Sequence, residues 1–316
     1  MESVLSDRHF HDESAAYEFV EQRVWPNGPI CPHCGGVDRI SKMGGKSTRI
    51  GTYKCYQCRK PFTVKVGTVF ESSHVPLRHW LQAMFLLSSS KKGISANQLA
   101  RTLKCTLKTG WFIGHRIREA MKVVGIEPLG GAGKVVETDE TYFGMIPRDE
   151  IMPRDPRKKA TGKRAGIRRP AYRAVLALVE RGGKARTFHV AQADQNTVSK
   201  IMRENVAKEA HVHTDESPIY NIVPWHFAQH ETVKHKAKEY VRGDVTTNSV
   251  EGYFSVFKRG MKGTYQHCAE KHLHRYLAEF DFRYNNRVAL GIGDAARTDQ
   301  LVKGIVGKRL TYKTPH

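Results

Sequence analysis

The chain has no run of about 18 apolar residues, which excludes a helix that could span a bilayer. Its first dozen residues are acidic and do not resemble a secretion signal, so a soluble, cytoplasmic protein without a membrane partner is expected. Internal repeats and low-complexity tracts are also missing, which excludes solenoids and arrays. Acids are scarce. There are 31 Asp+Glu against 52 Lys+Arg, a net charge of +21, and a surface so unbalanced calls for an anionic partner of comparable size. Cysteines number six, too few for a disulfide scaffold in a 316-residue chain.

Four of those cysteines form two close pairs, Cys31-Pro-His-Cys34 and Cys55-Tyr-Gln-Cys58, with twenty residues between them. Two Cys-x-x-Cys turns can bring four thiolates to tetrahedral geometry, so residues 25–70 read as a zinc ribbon whose metal supplies much of its folding free energy. Within it, Thr52-Tyr53-Lys54 reads as a short strand, and the alternation Pro61-Phe-Thr-Val-Lys-Val66 as another. Cys105 and Cys268 are isolated and are expected as small buried apolar residues.

After Pro76 the pattern turns helical. Leu77, Trp80, Leu81, Met84 and Phe85 share one face, Ser95 followed by Gln98 marks a second helix start, and Trp111, Ile113, Ile117 and Met121 mark a third helix. The short break at Lys104-Cys105-Thr106 gives helix-turn-helix proportions, with Lys108, His115, Arg116 and Arg118 as candidates to face nucleic acid. Gly130-Gly131-Ala132-Gly133 then reads as a hinge and the main boundary.

Beyond it, Val135–Tyr142 is expected as a strand, Tyr172–Val179 and Ala185–Ala191 as a hairpin, Asn196–Val206 as a helix and His211–Asp215 as a strand, a mixed α/β order. Between Arg148 and Arg173 lie ten Lys/Arg and three acids, including Lys158, Lys159, Arg168 and Arg169. Such a stretch cannot bury a core and reads as an exposed basic loop.

Three acids stand out. Asp139 lies in an apolar strand beside Glu137 and Glu140, which are its local rivals, and a charge there needs a partner or a metal. Asp215 ends a strand, where ligand sites gather, although it could equally be a turn acid bonded to the Ser217 backbone, with Glu216 as an alternative. Glu251 follows Asp215 after 35 residues. The run Asn248-Ser-Val-Glu251 could also be a capping box that needs no further function. Lys258, two turns along from Glu251, and Lys262 beyond it suit phosphate contacts. Hard oxygen ligands in a strongly basic chain point to metal-assisted chemistry on DNA.

These stretches carry a family resemblance. The two Cys pairs, Glu137-Thr-Asp-Glu-Thr-Tyr-Phe-Gly144, His213-Thr-Asp-Glu216 and Thr247-Asn-Ser-Val-Glu-Gly-Tyr-Phe-Ser-Val-Phe-Lys258, continuing to Tyr265, resemble DDE transposases of bacterial insertion sequences, in particular the ISXO-type group with an N-terminal zinc ribbon. The resemblance spans residues from about 15 to about 290. It implies a ribonuclease-H-like mixed-sheet catalytic domain, preceded by the ribbon and the helix-turn-helix-like region. In it Asp139, Asp215 and Glu251 would hold two divalent ions, magnesium or manganese, Lys258 would match the basic residue after the glutamate, and Asn248 is an alternative third ligand. It further implies binding of double-stranded DNA at transposon ends and target sites, strand cleavage and transfer without a covalent tyrosine intermediate at Tyr142, Tyr253 or Tyr265, and at least a dimer on DNA. A non-catalytic DNA-binding regulator is the rival from another class. The expected domains are 1–75, 76–128, 134–295 with the basic loop 148–173, and a tail at 296–316.

Overall fold

The computed structural model describes residues 3–123, 127–145, 172–237, 239 and 241–311. It divides into two compact units: Met1–Gly125 with Arg259–Gln266 and Ala278–His316, and Ile126–Lys258 with His267–Leu277. Lys158, Lys159, Arg168 and Arg169 of the expected basic loop lie outside the described residues.

In the first unit, helix α1 (Glu13–Val24) starts at Asp12, whose carboxylate accepts from the Ala15 amide at 2.7 Å. Three short antiparallel strands follow, β1 (Ile40–Lys42), β2 (Tyr53–Cys55) and β3 (Pro61–Phe62), in the order β1-β2-β3. The expected strand over 61–66 stops at Phe62. The Thr63 hydroxyl accepts from the Lys65 amide and its carbonyl from the Val66 amide, so the chain turns instead. Trp25, Tyr53 and Phe62 pack edge-on and stacked behind the cysteines.

Helix α2 (Leu77–Ser89) begins after Pro76, which offers no side-chain cap. Glu13 supplies one from α1, accepting from the amides of Leu77 at 2.6 Å and Arg78 at 3.1 Å. Helix α3 (Ala96–Thr102) starts at Ser95, which accepts from the Gln98 amide as the spacing predicts, and α4 (Leu107–Met121) starts at Thr106. At Gly110 a Cβ would come within 3.0 Å of the Ala100 side chain and the Ala96 carbonyl, so glycine is what allows α3 and α4 to approach. Trp80, Leu81, Met84, Leu87, Ile113 and Ile117 form the core. Residues 296–316, read as a tail, contain most of α8 (Asp294–Lys303), and its Leu301 and Val302 are buried in this same core. Their apolar pair gave too little periodicity to be separated from a loop.

The second unit is built on a five-stranded mixed sheet of order β6-β5-β4-β7-β8. Strands β4 (Val135–Met145), β5 (Tyr172–Glu180) and β6 (Ala185–Val190) are antiparallel neighbours. Strand β7 (His211–Asp215) runs parallel to β4, and β8 (Gln229–Val233), which the sequence did not announce, runs parallel to β7. The six buried residues Ala174–Val179 make β5 apolar on both faces. Helix α5 (Gln195–Asn205), capped by Asp194, places Val198 and Met202 in the core with Leu176, Leu178 and Val212. A small hairpin of β9 (Val241–Arg242) and β10 (Val245–Thr246) leads into α6 (Asn248–Gly260). A π-helical turn, Met261–Tyr265, and α7 (Glu270–Asn285) follow.

The glycine-rich segment is no hinge. The Gly130 amide donates to Glu180 at 2.9 Å, a Cβ there would meet Ala210 at 2.6 Å, and Leu129 bridges to Val206, so the segment is a tight turn inside the second unit. Among the described residues, no helix is long and apolar enough to cross a membrane.

Candidate functional site

The cysteine pairs meet. The four Sγ atoms of Cys31, Cys34, Cys55 and Cys58 all lie within 4.8 Å of one another, and the contacts of 3.6 Å (Cys31 to Cys58) and 3.7 Å (Cys34 to Cys55) are far from a disulfide length. Backbone amides support ionised sulfur: donation from the Cys58 amide holds the Cys55 thiol down to about 7. Cys31 and Cys55 are buried against Phe62, and the donor set fits tetrahedral zinc in a structural role. Cys105 and Cys268 are half-buried rather than buried.

The acids converge in the second unit. Residues Val135–Glu137 of β4 pair in parallel with His211–His213 of β7, and two residues beyond the end of that ladder come Asp139 and Asp215, side by side on adjacent strands. Asp139 Oδ1 accepts from the Glu140 amide at 2.8 Å and Asp215 Oδ1 from the Ser217 amide at 2.9 Å. Asp215 is therefore a turn acid as well as a strand-end acid. Each bond fixes the rotation of one carboxylate and leaves its second oxygen for a ligand.

Glu251 comes from α6. The Glu251 amide bonds to the Thr247 carbonyl at 3.0 Å, which makes Thr247 the N-cap, so Asn248 does not cap and no Asn248–Glu251 capping box forms. Glu251 Oε1 accepts from Thr247 Oγ1 at 3.2 Å and lies 3.8 Å from His235 Nε2. An open depression of about 280 Å³ is lined by Asp139, Glu140, Thr141, Glu251, Phe254, Ser255 and Lys258. Asn248 is exposed and outside that lining.

Charge at this place is unbalanced. Burial first, then the neighbouring carboxylates Glu140, Asp215 and Glu251, push Asp139 up to about 7. Its rival Glu140 is engaged elsewhere, accepting from the Tyr220 hydroxyl at 2.7 Å, and burial raises its pKa too. The other rival, Glu137, is fully buried and saturated. Arg181, Ser249 and the amides of Ser249 and Val250 occupy both of its oxygens. The three acids do not come within 4.8 Å of one another as the four thiolates do. An excess of negative charge on oxygen ligands nevertheless fits a hard divalent cation, which would offset the repulsion at Asp139.

Two of the basic residues expected to face nucleic acid do not. Arg116 is buried and donates to the carbonyls of Val69 and Glu71 at 2.9 and 2.8 Å, and Arg118 is buried and donates to Glu279 at 2.6 Å. His115 is fully buried as well. The two arginines satisfy interior acceptors of the first unit, a demand set by segments far away in sequence. Lys108, in the first turn of α4, and Lys262 are exposed. Lys262 lies on the π-helical turn, whose wider winding breaks the α-helical face that carries Glu251 and Lys258. Tyr253 is buried, and Tyr265 donates to buried Glu279, so neither hydroxyl is presented as a nucleophile. Sequence reading missed Glu137's bonding role, Thr247 and His235; only Thr247, beside the Asn248 it displaces as N-cap, left a local signal.

Comparison with known proteins covers both regions and agrees with the zinc ribbon. Residues 11–61 match the transposase zinc-ribbon domain, and residues 128–285, half of the chain, match the ISXO2-like transposase domain. A protein of Halobacterium salinarum, described as an uncharacterized protein in transposable element ISH50, is 27% identical over 279 residues, covering 87% of this chain and 91% of that protein. Among solved structures, the Mos1 strand transfer complex overlaps 70% of this chain and 72% of its own at 13% identity, with a TM-score of 0.26. The Mos1 transposase paired-end complex with left transposon end overlaps 65% and 76% at 14% identity, with a TM-score of 0.18. Those two overlaps are too loose to bear on the fold. The domain match over half of its length is decisive: the chain belongs to the ISXO2-like transposase family.

Proposed function

We propose that this protein is the transposase of an insertion sequence, binding the element's double-stranded DNA ends and catalysing strand cleavage and strand transfer by direct transesterification in a ribonuclease-H-like domain. The observation that supports it most is that Asp139 and Glu251 line one depression while Asp215 acts on Asp139 from the adjacent strand, with the Asp139 carboxyl pushed up to about 7. Asp139, Asp215 and Glu251 would hold divalent ions, with Glu251 favoured over Asn248 because it lines the depression. Magnesium or manganese, when bound, would lower the pKa of an attacking water or hydroxyl and stabilise the leaving oxygen.

The chain's own groups do the rest. Backbone amides orient two of the carboxylates, Thr247 orients the third, and Lys258 brings a cation to the same depression, suited to a DNA phosphate. Lys108, Lys262 and the 148–173 segment are the proposed DNA contacts, and the zinc ribbon with α3 and α4 is proposed to read the ends. Handling two ends favours at least a dimer.

The test is incubation of the purified protein with labelled DNA carrying the element's ends and magnesium, comparing wild type with Asp139→Asn and Asp215→Ala. Nicked and joined products that vanish in both variants, with end binding within about twofold of wild type, are expected. Binding without product in the wild type would instead favour the regulator, and cleavage retained by Asp139→Asn would remove that residue from the site.

A further inference from the structure

Glu137 is two residues before Asp139 on the same face of β4, and it is the most thoroughly bonded carboxylate of the second unit's described residues that touches α6. Its relative exposure is 0%. Oε2 accepts from the amides of Ser249 at 2.7 Å and Val250 at 3.2 Å, and Oε1 accepts from Ser249 Oγ at 3.0 Å and from Arg181 Nε and Nη2, each at 3.0 Å. The two amides are among those a helix leaves without internal partners at its start, where the macrodipole also favours a negative charge. Glu251 follows them directly. A side chain from β4 therefore does for α6 what Glu13 does for α2.

Arg181 extends the clamp. Besides Glu137 it donates to the carbonyls of Asp244 at 3.0 Å and Thr246 at 3.4 Å, on the hairpin that leads into α6. Sliding or turning α6 on the sheet would break both Glu137–amide bonds and leave a buried carboxylate with unfilled oxygens, which is costly. With both oxygens occupied, Glu137 is not itself a ligand.

We propose that Glu137 is a positioning residue: by capping α6 from β4 it sets the place of Glu251 opposite Asp139, and so the metal affinity of the site. This rests on the reading of Asp139, Asp215 and Glu251 as the metal carboxylates. The test is Mn2+ binding to the full chain without DNA, followed by electron paramagnetic resonance at 10 °C, where circular dichroism reports whether each variant is folded. Glu137→Gln keeps the shape but places an amide nitrogen, which cannot accept, on one oxygen position. It is expected to weaken Mn2+ binding about tenfold or more.

If Glu137 acts through Glu251, then in a Glu251→Gln background the same substitution changes affinity by less than about twofold, whereas a general loosening of the fold gives additive losses. Ser249→Ala, which removes one of the five bonds and spares the backbone amides, is expected to lower affinity about two- to threefold, and it carries the same cycle if Glu137→Gln does not fold. Unchanged Mn2+ affinity in Glu137→Gln, or additive losses with Glu251→Gln, would overturn the proposal. Asp139→Asn separates the two failures. Affinity unchanged in Asp139→Asn overturns the metal-site reading together with the proposal, whereas affinity lost there but kept in Glu137→Gln overturns the proposal alone.

Discussion

Glu279, fully buried in the first unit, and Asp139, half-buried in the second, have opposite surroundings. Burial alone would raise the pKa of Glu279, but Arg283 and Arg118 beside it hold it below the usual carboxylate range, and Tyr265 adds a hydrogen bond. Asp139 has carboxylates for neighbours and is pushed up to about 7. Where the chain needs rigidity it encloses an acid with cations. On the function proposed above, a divalent ion would supply further positive charge where Asp139, Asp215 and Glu251 gather. Glu137, two residues from Asp139, belongs with Glu279: Arg181 and helix amides satisfy it completely.

The comparison breaks most severely at Glu279. Glu279→Ala would leave Arg118 and Arg283 buried together without a counter-charge, with an expected loss of about 3–5 kcal/mol. Thermal or urea unfolding measures it, and a loss below about 1 kcal/mol would show that the cluster is wet and inexpensive to disrupt.

Asp139→Asn should act in the other direction on the metal-free protein. Between the ordinary carboxyl value of 3.8 and about 7, the native state binds a proton that the unfolded chain has released, so stability falls as pH rises through that window. Asparagine carries no such charge. The variant is expected to be more stable than wild type at pH 8 by about 1–3 kcal/mol, with the gain disappearing toward pH 4. Melting curves across pH, recorded on zinc-loaded protein in buffers free of magnesium and manganese, test this; a constant difference between the two proteins would contradict the repulsion argument.

The smallest effect sharpens the contrast between cations at the surface and in the interior. Lys108→Ala is expected to weaken DNA binding by less than about 1 kcal/mol and to lower the slope of log affinity against log salt by about 1. An unaltered salt slope would take Lys108 off the DNA surface.

Much of this was legible in the residues. Cys-x-x-Cys spacing announces its own geometry because the ligands are neighbours in the chain, and Ser95 with Gln98 announces a helix start for the same reason. The β-branched and aromatic residues of Val135–Tyr142 and the short apolar run of β5 reveal strands through residue identity and segment length. The charges of α4 were not legible in this way. Periodicity puts Arg116 and Arg118 on the helix, but only acceptors at Val69, Glu71 and Glu279 decide that they point inward. The Asn248–Glu251 pattern was likewise a sound local reading, displaced because the helix starts one residue earlier, with the Glu251 amide on the Thr247 carbonyl; the Ser249 amide is then taken by Glu137, 112 positions away.

By itself, then, the sequence determined the thiolate cluster, most of the strand and helix segments, the basic charge and the family, because each is written in residue identity and short spacing. The tertiary structure alone decided which of Glu137, Asp139 and Glu140 is saturated and which is left with unbalanced charge. It also decided which arginines are interior, and how β4, β7 and α6 bring Asp139, Asp215 and Glu251 together. Those outcomes depend on the partners that a folded chain brings to each buried polar group. A strand's sequence records that a carboxylate is present, but not whether a guanidinium, a helix amide or another carboxylate will stand beside it.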